Sequence, residues 1–215
     1  MITFMKVLHN YKLPPRIGMH YSIGFVTIFY TGVQILTGVV LTLRTNFNSP
    51  WDNYFKQKGL LIQNPSFYMC QTIHMVGVTF VFVFLYLHMI KNLMINTYKV
   101  ITWNIGVLLL VAMMGTAAFG YCIFGGQLAV WSFIVISRLI CGLGLQRAIV
   151  MVFYGKPNFV SLQEGMIRIF SLHFLFAMAS CFLIFVHLFY LHLLGTTGKL
   201  GISTRCDDYS MTRFI

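Results

Sequence analysis

The sequence predicts an all-α membrane protein with four transmembrane helices, and three observations support this fold class. Hydrophobic residues make up 58% of the 215 residues and charged residues only 9%, whereas soluble domains carry about 25% charged residues. Four apolar stretches reach the roughly 20 residues that a helix needs to cross a bilayer. The charged residues lie mainly near the ends of these stretches, where Lys and Arg side chains reach the lipid headgroups.

The predicted spans cover residues 21–43, 68–95, 105–124 and 169–194. Residues 125–168 contain further apolar stretches that are interrupted by Arg138, Arg147 and Lys156. This pattern favours short amphipathic helices at the membrane surface over a fifth span. Four spans place both termini on the same side of the membrane. Basic residues are divided almost evenly between the two sides, so charge does not decide the orientation.

The charge and the cysteines exclude two other kinds of protein. The net charge of +11 comes from 15 basic and 4 acidic residues. Because the basic residues flank apolar segments, we expect them to contact a lipid membrane and predict no nucleic-acid partner. The five cysteines form no CxxC or CxxCH motif, which excludes covalent haem attachment through that motif.

Four histidines repeat one spacing inside the second and fourth spans. His74 and His88 are fourteen residues apart, and so are His173 and His187. Fourteen residues end about 40° from a whole number of helical turns, so each pair lies on one helix face, with members about 21 Å apart. The second and fourth spans run in the same direction because one helix separates them. His74 is therefore expected to meet His173 at one level, and His88 to meet His187 at the other.

Two imidazoles at each level are typical of axial haem ligation, since haem iron takes one ligand above and one below its plane. Zinc would need three or four ligands at one point. A transporter with histidine proton relays would need further acids inside the spans, but Glu164, the only glutamate, lies outside them. We therefore predict two non-covalent b-type haems inside the helix bundle.

Glycines in the other two spans share the histidine interval. Gly24 and Gly38 are fourteen residues apart in the first span, and Gly106 and Gly120 are fourteen apart in the third. Small residues are common wherever membrane helices pack closely. The shared interval favours a more specific role, in which each glycine leaves room for the edge of a haem.

These residues resemble the N-terminal half of mitochondrial-type cytochrome b, the quinol-oxidising core of the cytochrome bc1 complex. Besides the helix with His74 and His88, the matching stretches are QILTG (Gln34–Gly38), TWNIG (Thr102–Gly106), AAFGY (Ala117–Tyr121) and Ile167–His192. The resemblance covers nearly the whole chain. It implies a di-haem subunit of a quinol–cytochrome c reductase (complex III) in the mitochondrial inner membrane, or alternatively in a bacterial plasma membrane. Such a subunit carries electrons from a quinol-oxidising to a quinone-reducing site and contributes to proton translocation.

The resemblance also implies a role for individual residues. His74 and His173 would bind the low-potential haem near the positive side of the membrane, and His88 and His187 the high-potential haem near the negative side. Two cations, Lys91 and Arg168, match basic residues near haem propionates, although the role of an ordinary interfacial cation remains an alternative for both. Two further residues, His192 and Tyr121, would line quinone pockets.

The chain departs from the family pattern at several positions. Gln71 stands where the family usually has an arginine, FGGQ replaces PWGQ at residues 124–127, and Trp131 is followed by serine. The sequence ends at Ile215, before the family's PEWY loop and last four helices. We therefore expect a partner that supplies the C-terminal half of cytochrome b, together with an iron–sulfur protein and a cytochrome c1-like subunit in a dimeric multi-subunit complex.

Two related functions remain as alternatives. One is a di-haem anchor that passes electrons between quinone and another oxidoreductase. The other is a cytochrome b6-like subunit, whose second histidine interval is one residue longer and which has a haem-attaching cysteine at the position of Ser22. Both differences favour the mitochondrial type.

Overall fold

The computed structural model describes residues 22–44, 65–96, 98–123, 126–145 and 162–194. Within these ranges all regular secondary structure is helical, in the order α1 (Ile23–Arg44), α2 (Pro65–Met94), α3 (Val100–Ile123), α4 (Gly126–Gly142) and α5 (Leu162–Leu194). Four of these helices, α1, α2, α3 and α5, are long and apolar enough to cross a membrane. The predicted all-α fold with four membrane spans is thus confirmed.

Three helices begin earlier than the sequence predicted. α2 begins at Pro65 instead of residue 68, α3 at Val100 instead of 105, and α5 at Leu162 instead of 169. Proline suits the first helical position, because its missing N–H would have no intrahelical partner there. Hydropathy marks only the part of a helix that matches the hydrocarbon layer. It therefore missed first turns that include a polar residue, such as that of α3 with Thr102.

Specific backbone conformations and side-chain contacts end the helices. Asn96 follows α2 with a φ of 53°, the left-handed conformation that asparagine tolerates at helix C-termini. The Asn96 N–H donates to the Leu93 carbonyl at 3.2 Å. The Lys99 ammonium group donates to the carbonyl of Leu194, the last residue of α5, where a cation is favoured by the helix dipole.

The described part of the segment between the third and fourth spans contains one short helix, as the sequence predicted. α4 runs for 17 residues through Arg138, and this helix is not among those long and apolar enough to cross a membrane. The Arg138 side chain is exposed, and an exposed arginine does not interrupt a helix because its long stem carries the charge away from the backbone. Trp131, Val135 and Leu139, spaced by four residues, are more than 60% exposed. Arg147 and Lys156 lie outside the described residues, and the position of α4 at the membrane surface stays a prediction.

The chain forms two compact units, and α1, α2, α3 and α5 contribute segments to both. The first unit comprises Met1–Thr31, Thr79–Leu110 and Cys181–Ile215, and the second comprises Gly32–Val78 and Val111–Ser180. In the first unit the Tyr30 ring stacks on Phe80 and Phe84 at 5.4 and 5.3 Å between ring centroids, which joins α1 to α2.

The second unit has a small core between α3, α4 and α5. Its centre is formed by Cys122 and Ile169, each only 1% exposed, with Phe119, Phe133 and Leu172 packed around them. Many large apolar side chains elsewhere are exposed, including Phe25 and Phe185 at 72%. Such extensive apolar surface is expected where helices face lipid.

Candidate functional site

Each compact unit contains one of the two predicted histidine pairs. In the second unit, His74 of α2 faces His173 of α5, with 6.5 Å between ring centroids and 74° between ring planes. In the first unit, His88 of α2 faces His187 of α5 at 6.4 Å and 70°. The structure therefore brings together the partners that the fourteen-residue spacing predicted.

The spacing of the rings suits one metal ion between them. A metal–imidazole nitrogen bond of about 2.0 Å and a nitrogen about 1.1 Å from the ring centre place two rings on opposite sides of one metal about 6.2 Å apart. Both observed distances lie within a few tenths of an ångström of this value. In the described ranges no three or more His, Cys, Asp or Glu side chains converge. The arrangement thus offers two ligands per site, as an axially ligated haem requires.

Hydrogen bonds identify the nitrogen of each ring that is available to a metal. The Nδ1 atom of His173 lies 2.7 Å from the Thr116 carbonyl oxygen. Because a carbonyl only accepts, Nδ1 carries the hydrogen and Nε2 keeps its lone pair. The Nδ1 atom of His74 lies 2.8 Å from the Thr37 hydroxyl. Metal-bound histidines commonly donate their other ring N–H in this way, which fixes the tautomer and the ring orientation.

The first unit is less completely hydrogen-bonded. The Nδ1 atom of His187 is buried and makes no well-aligned hydrogen bond among the described residues, although the Thr102 backbone lies near this ring. The Asn92 amide nitrogen lies 3.4 Å from Nε2 of His88. Since an amide N–H donates, Nε2 of His88 is the acceptor of this hydrogen bond, and a metal could take its lone pair only in place of the Asn92 amide.

The four predicted glycines lie directly against the histidine rings. A Cβ added at Gly24, Gly38, Gly106 or Gly120 would lie 3.0–3.3 Å from Cε1 of His88, His74, His187 or His173, respectively. Carbon atoms pack best at about 3.5–4.0 Å, so none of these positions has room for a side chain. The sequence predicted that the glycines leave room for a haem edge. Their nearest side-chain neighbours are the imidazole rings, and a haem-edge contact stays a prediction.

A buried amide and a further glycine were missed by sequence reasoning. The Nε2 and Oε1 atoms of Gln34 are buried without a hydrogen-bond partner among the described residues. A Cβ added at Gly77 would lie 2.0 Å from the Gln34 amide nitrogen. Burying an amide without a partner is costly, so these atoms fit a bound group near His74, which lies one turn before Gly77. In the sequence, the only signal for the contact between Gly77 and Gln34 is that Gly77 lies three residues after His74.

The remaining predicted residues lie at the margins of the two units. Lys91 is half-buried on α2 three residues after His88, and Arg168 is half-buried near the start of the α5 span. His192 is exposed in the last turn of α5, and the Tyr121 ring is 52% exposed on α3. The predicted propionate and quinone contacts of these residues stay predictions. Gln71, one of the expected departures from the family pattern, is 8% exposed.

Four helices long and apolar enough to cross a membrane make this chain a multi-pass membrane protein, and two facing imidazole pairs distinguish it within that class. Comparison with known proteins identifies the family. Residues 8–195 match the sequence profile of the cytochrome b/b6/petB family, and the chain belongs to this family.

Individual relatives agree with this family. Cytochrome b of Brachionus plicatilis is 30% identical over 199 residues, which cover 92% of this chain and 52% of that protein. Cytochrome b of Rickettsia typhi is 28% identical, with 94% and 51% covered. The chain thus spans about half the length of these curated relatives. A structure described as a hyperthermophilic respiratory complex III has the same fold, with a TM-score of 0.84 at 23% identity over 97% of this chain and 56% of that one.

Proposed function

We propose that this chain is the di-haem region of a cytochrome b in a quinol–cytochrome c oxidoreductase. It would carry electrons across the membrane from a quinol-oxidising to a quinone-reducing site and contribute to proton translocation. The observation that carries this proposal is the pair of facing imidazoles in each unit, with ring centroids 6.5 and 6.4 Å apart. Family membership supports haem as the group between them.

In this proposal the side chains hold and orient the cofactor. His74 and His173 in one unit, and His88 and His187 in the other, present Nε2 lone pairs to the metal. The glycine against each ring lets the neighbouring helix approach closely, so the imidazole cannot swing away. A haem held by two neutral imidazoles supplies a one-electron iron couple. The apolar surfaces of the helices keep both sites inside the membrane.

The quinone sites and the partners belong to the same proposal. His192, on the helix that carries His187, would line the quinone-reducing pocket, and Tyr121, next to Gly120, would contribute to the quinol-oxidising side. Lys91 and Arg168 would neutralise haem propionates. The remaining cytochrome b helices, an iron–sulfur protein and a cytochrome c1-like subunit would complete the complex.

The cytochrome b type is favoured over cytochrome b6 within the family. The profile covers both types, but the second histidine interval is fourteen residues and position 22 is serine. The relatives at 28–30% identity are cytochromes b of an animal and of bacteria. We accordingly propose a respiratory membrane as the location, the mitochondrial inner membrane first and the bacterial plasma membrane as the alternative.

Haem counting tests the proposal directly. His88→Ala and His187→Ala should each remove one haem and leave the other, because each pair lies within a single compact unit. His192→Ala is the matched control, since it removes a histidine from α5 outside the pairs and should leave both haems. The measurement is haem per chain by pyridine haemochrome spectroscopy on the purified complex. Two haems in His88→Ala, or none in the unsubstituted protein, would refute the assignment.

A further inference from the structure

The residues that precede the two α1 glycines in contact with histidine rings differ between the two units. Gly38 is preceded by Thr37, whereas Gly24, its equivalent in the other unit, is preceded by Ile23. The Thr37 hydroxyl lies 2.8 Å from Nδ1 of His74. The two sites therefore share their glycines and histidines but differ in this hydroxyl group.

The surroundings of Thr37 determine the direction of its hydrogen bond. Its Oγ atom lies 2.7 Å from the Val33 carbonyl and 3.1 Å from the Gln34 carbonyl. A hydroxyl has one hydrogen, and donation to the carbonyl four residues earlier is also seen at Thr27, Thr31, Thr42 and Thr116. With that hydrogen directed to Val33, the Thr37 oxygen accepts from Nδ1–H of His74. This leaves Nε2 of His74 as the lone-pair nitrogen.

Both rings of the second unit then donate through Nδ1, His74 to Thr37 and His173 to the Thr116 carbonyl. In the first unit, Nδ1 of His187 has only a looser contact with the Thr102 backbone, which falls short of hydrogen-bond geometry. Donation from the outer nitrogen makes an imidazole a more basic ligand, and a more basic ligand stabilises the ferric over the ferrous state. The hydrogen-bonding difference thus favours a lower reduction potential in the second unit.

The Gln34 backbone is a second acceptor for His74, so the Thr37 hydroxyl adds to the hydrogen bonding of this ring. We propose that Thr37 is a positioning residue that strengthens donation from Nδ1–H of His74 and lowers the reduction potential of the haem bound by His74 and His173. The inference rests on the proposed di-haem function and explains how two similar ligand pairs acquire different potentials. Thr37 acts through His74 and need not touch the cofactor.

The decisive experiment compares Thr37→Val, which keeps the shape but removes the hydroxyl, with Thr37→Ser, which keeps the hydroxyl. Thr42→Val is the matched control, because Thr42 also lies on α1 and donates to a carbonyl of its own helix, that of Gly38, rather than contacting a histidine ring. The measurement is a potentiometric titration of both haems, followed by absorption, in the intact complex.

Loss of the hydrogen bond in Thr37→Val should change the ferric-to-ferrous ratio of the lower-potential haem by up to about tenfold, a rise of up to about 59 mV. Thr37→Ser and Thr42→Val should keep the original potential, and the other haem should be unaffected in all three variants. A rise below about 10 mV in Thr37→Val, less than a 1.5-fold change, would overturn the inference. An equal rise in Thr42→Val would do the same.

A second measurement needs no substitution. Redox-difference infrared spectroscopy with histidine labelled with ¹⁵N at Nδ1 reports whether each ligand ring donates a hydrogen bond. Over the lower-potential transition, two hydrogen-bonded ring modes are expected, and a single one would overturn the proposal. An unsubstituted complex without haem would instead refute the proposed function, whereas two haems with unchanged potentials in Thr37→Val would refute only the role of Thr37.

Discussion

Replacing Gly120 by alanine should weaken haem retention in the second unit. The added Cβ would lie 3.0 Å from Cε1 and 3.2 Å from Nδ1 of His173. Since carbon atoms pack at about 3.5–4.0 Å, the ring must move by at least about 0.5 Å. It cannot move freely, because its Nδ1 atom is held 2.7 Å from the Thr116 carbonyl.

The expected cost follows from two opposing terms. Overpacking a tight contact costs about 1–3 kcal/mol, and replacing glycine by alanine within a helix returns about 1 kcal/mol. The difference is a net loss of up to about 2 kcal/mol, which corresponds to up to about 30-fold weaker haem retention. Gly106→Ala should be milder, because its Cβ would lie 3.3 Å from a ring whose Nδ1 atom makes no well-aligned hydrogen bond among the described residues.

The assay is haem content per chain during detergent dilution, with each haem followed by its absorption band. Gly32→Ala is the control, because a Cβ added there meets nothing within 4 Å and only the gain in helix propensity remains. Full retention of both haems in Gly120→Ala would refute the reasoning. So would equal losses in Gly32→Ala and Gly120→Ala, because the effect would then not depend on contact with the ring.

Two other outcomes are expected. Gly77→Ala should destabilise the protein in thermal unfolding, because its Cβ would lie 2.0 Å from the Gln34 amide nitrogen; adding Gln34→Ala should recover part of the loss, and a purely additive double variant would contradict the contact. Near-perpendicular rings, at 74° and 70°, leave the two iron orbitals that interact with the imidazoles nearly equal in energy, so both ferric haems should give low-spin EPR signals of large g anisotropy. Signals typical of parallel imidazoles would contradict these ring orientations.

The pairing of the histidines could be predicted from sequence because helix geometry is nearly invariant. A fourteen-residue interval returns to the same face, and an intervening helix makes the second and fourth spans run in the same direction. The meeting of His74 with His173 follows from these two facts alone. The helix limits were less predictable, since hydropathy does not register polar turns such as the one at Thr102.

Contacts between neighbouring helices could not be predicted in the same way. The interval shared by glycines and histidines indicated a common site but not which glycine meets which ring. That pairing depends on the antiparallel register of α1 against α2 and of α3 against α5, which the connecting segments do not encode in a readable pattern. For the same reason, Gln34 was noted only within a matching motif, although its buried amide over Gly77 is a distinctive feature of the second unit.

The two sites illustrate how a repeated scaffold can carry unequal chemistry. Ring distances, at 6.5 and 6.4 Å, and glycine contacts are nearly the same in both units. Under the proposed function, a difference in potential between the two sites would favour electron flow in one direction. A difference in backbone geometry would disturb the metal–ligand distances, whereas a hydroxyl beside Nδ1 changes only the basicity of the ligand. Thr37 before Gly38 and Ile23 before Gly24 are therefore a small difference that can separate the two potentials while leaving the ligand geometry intact.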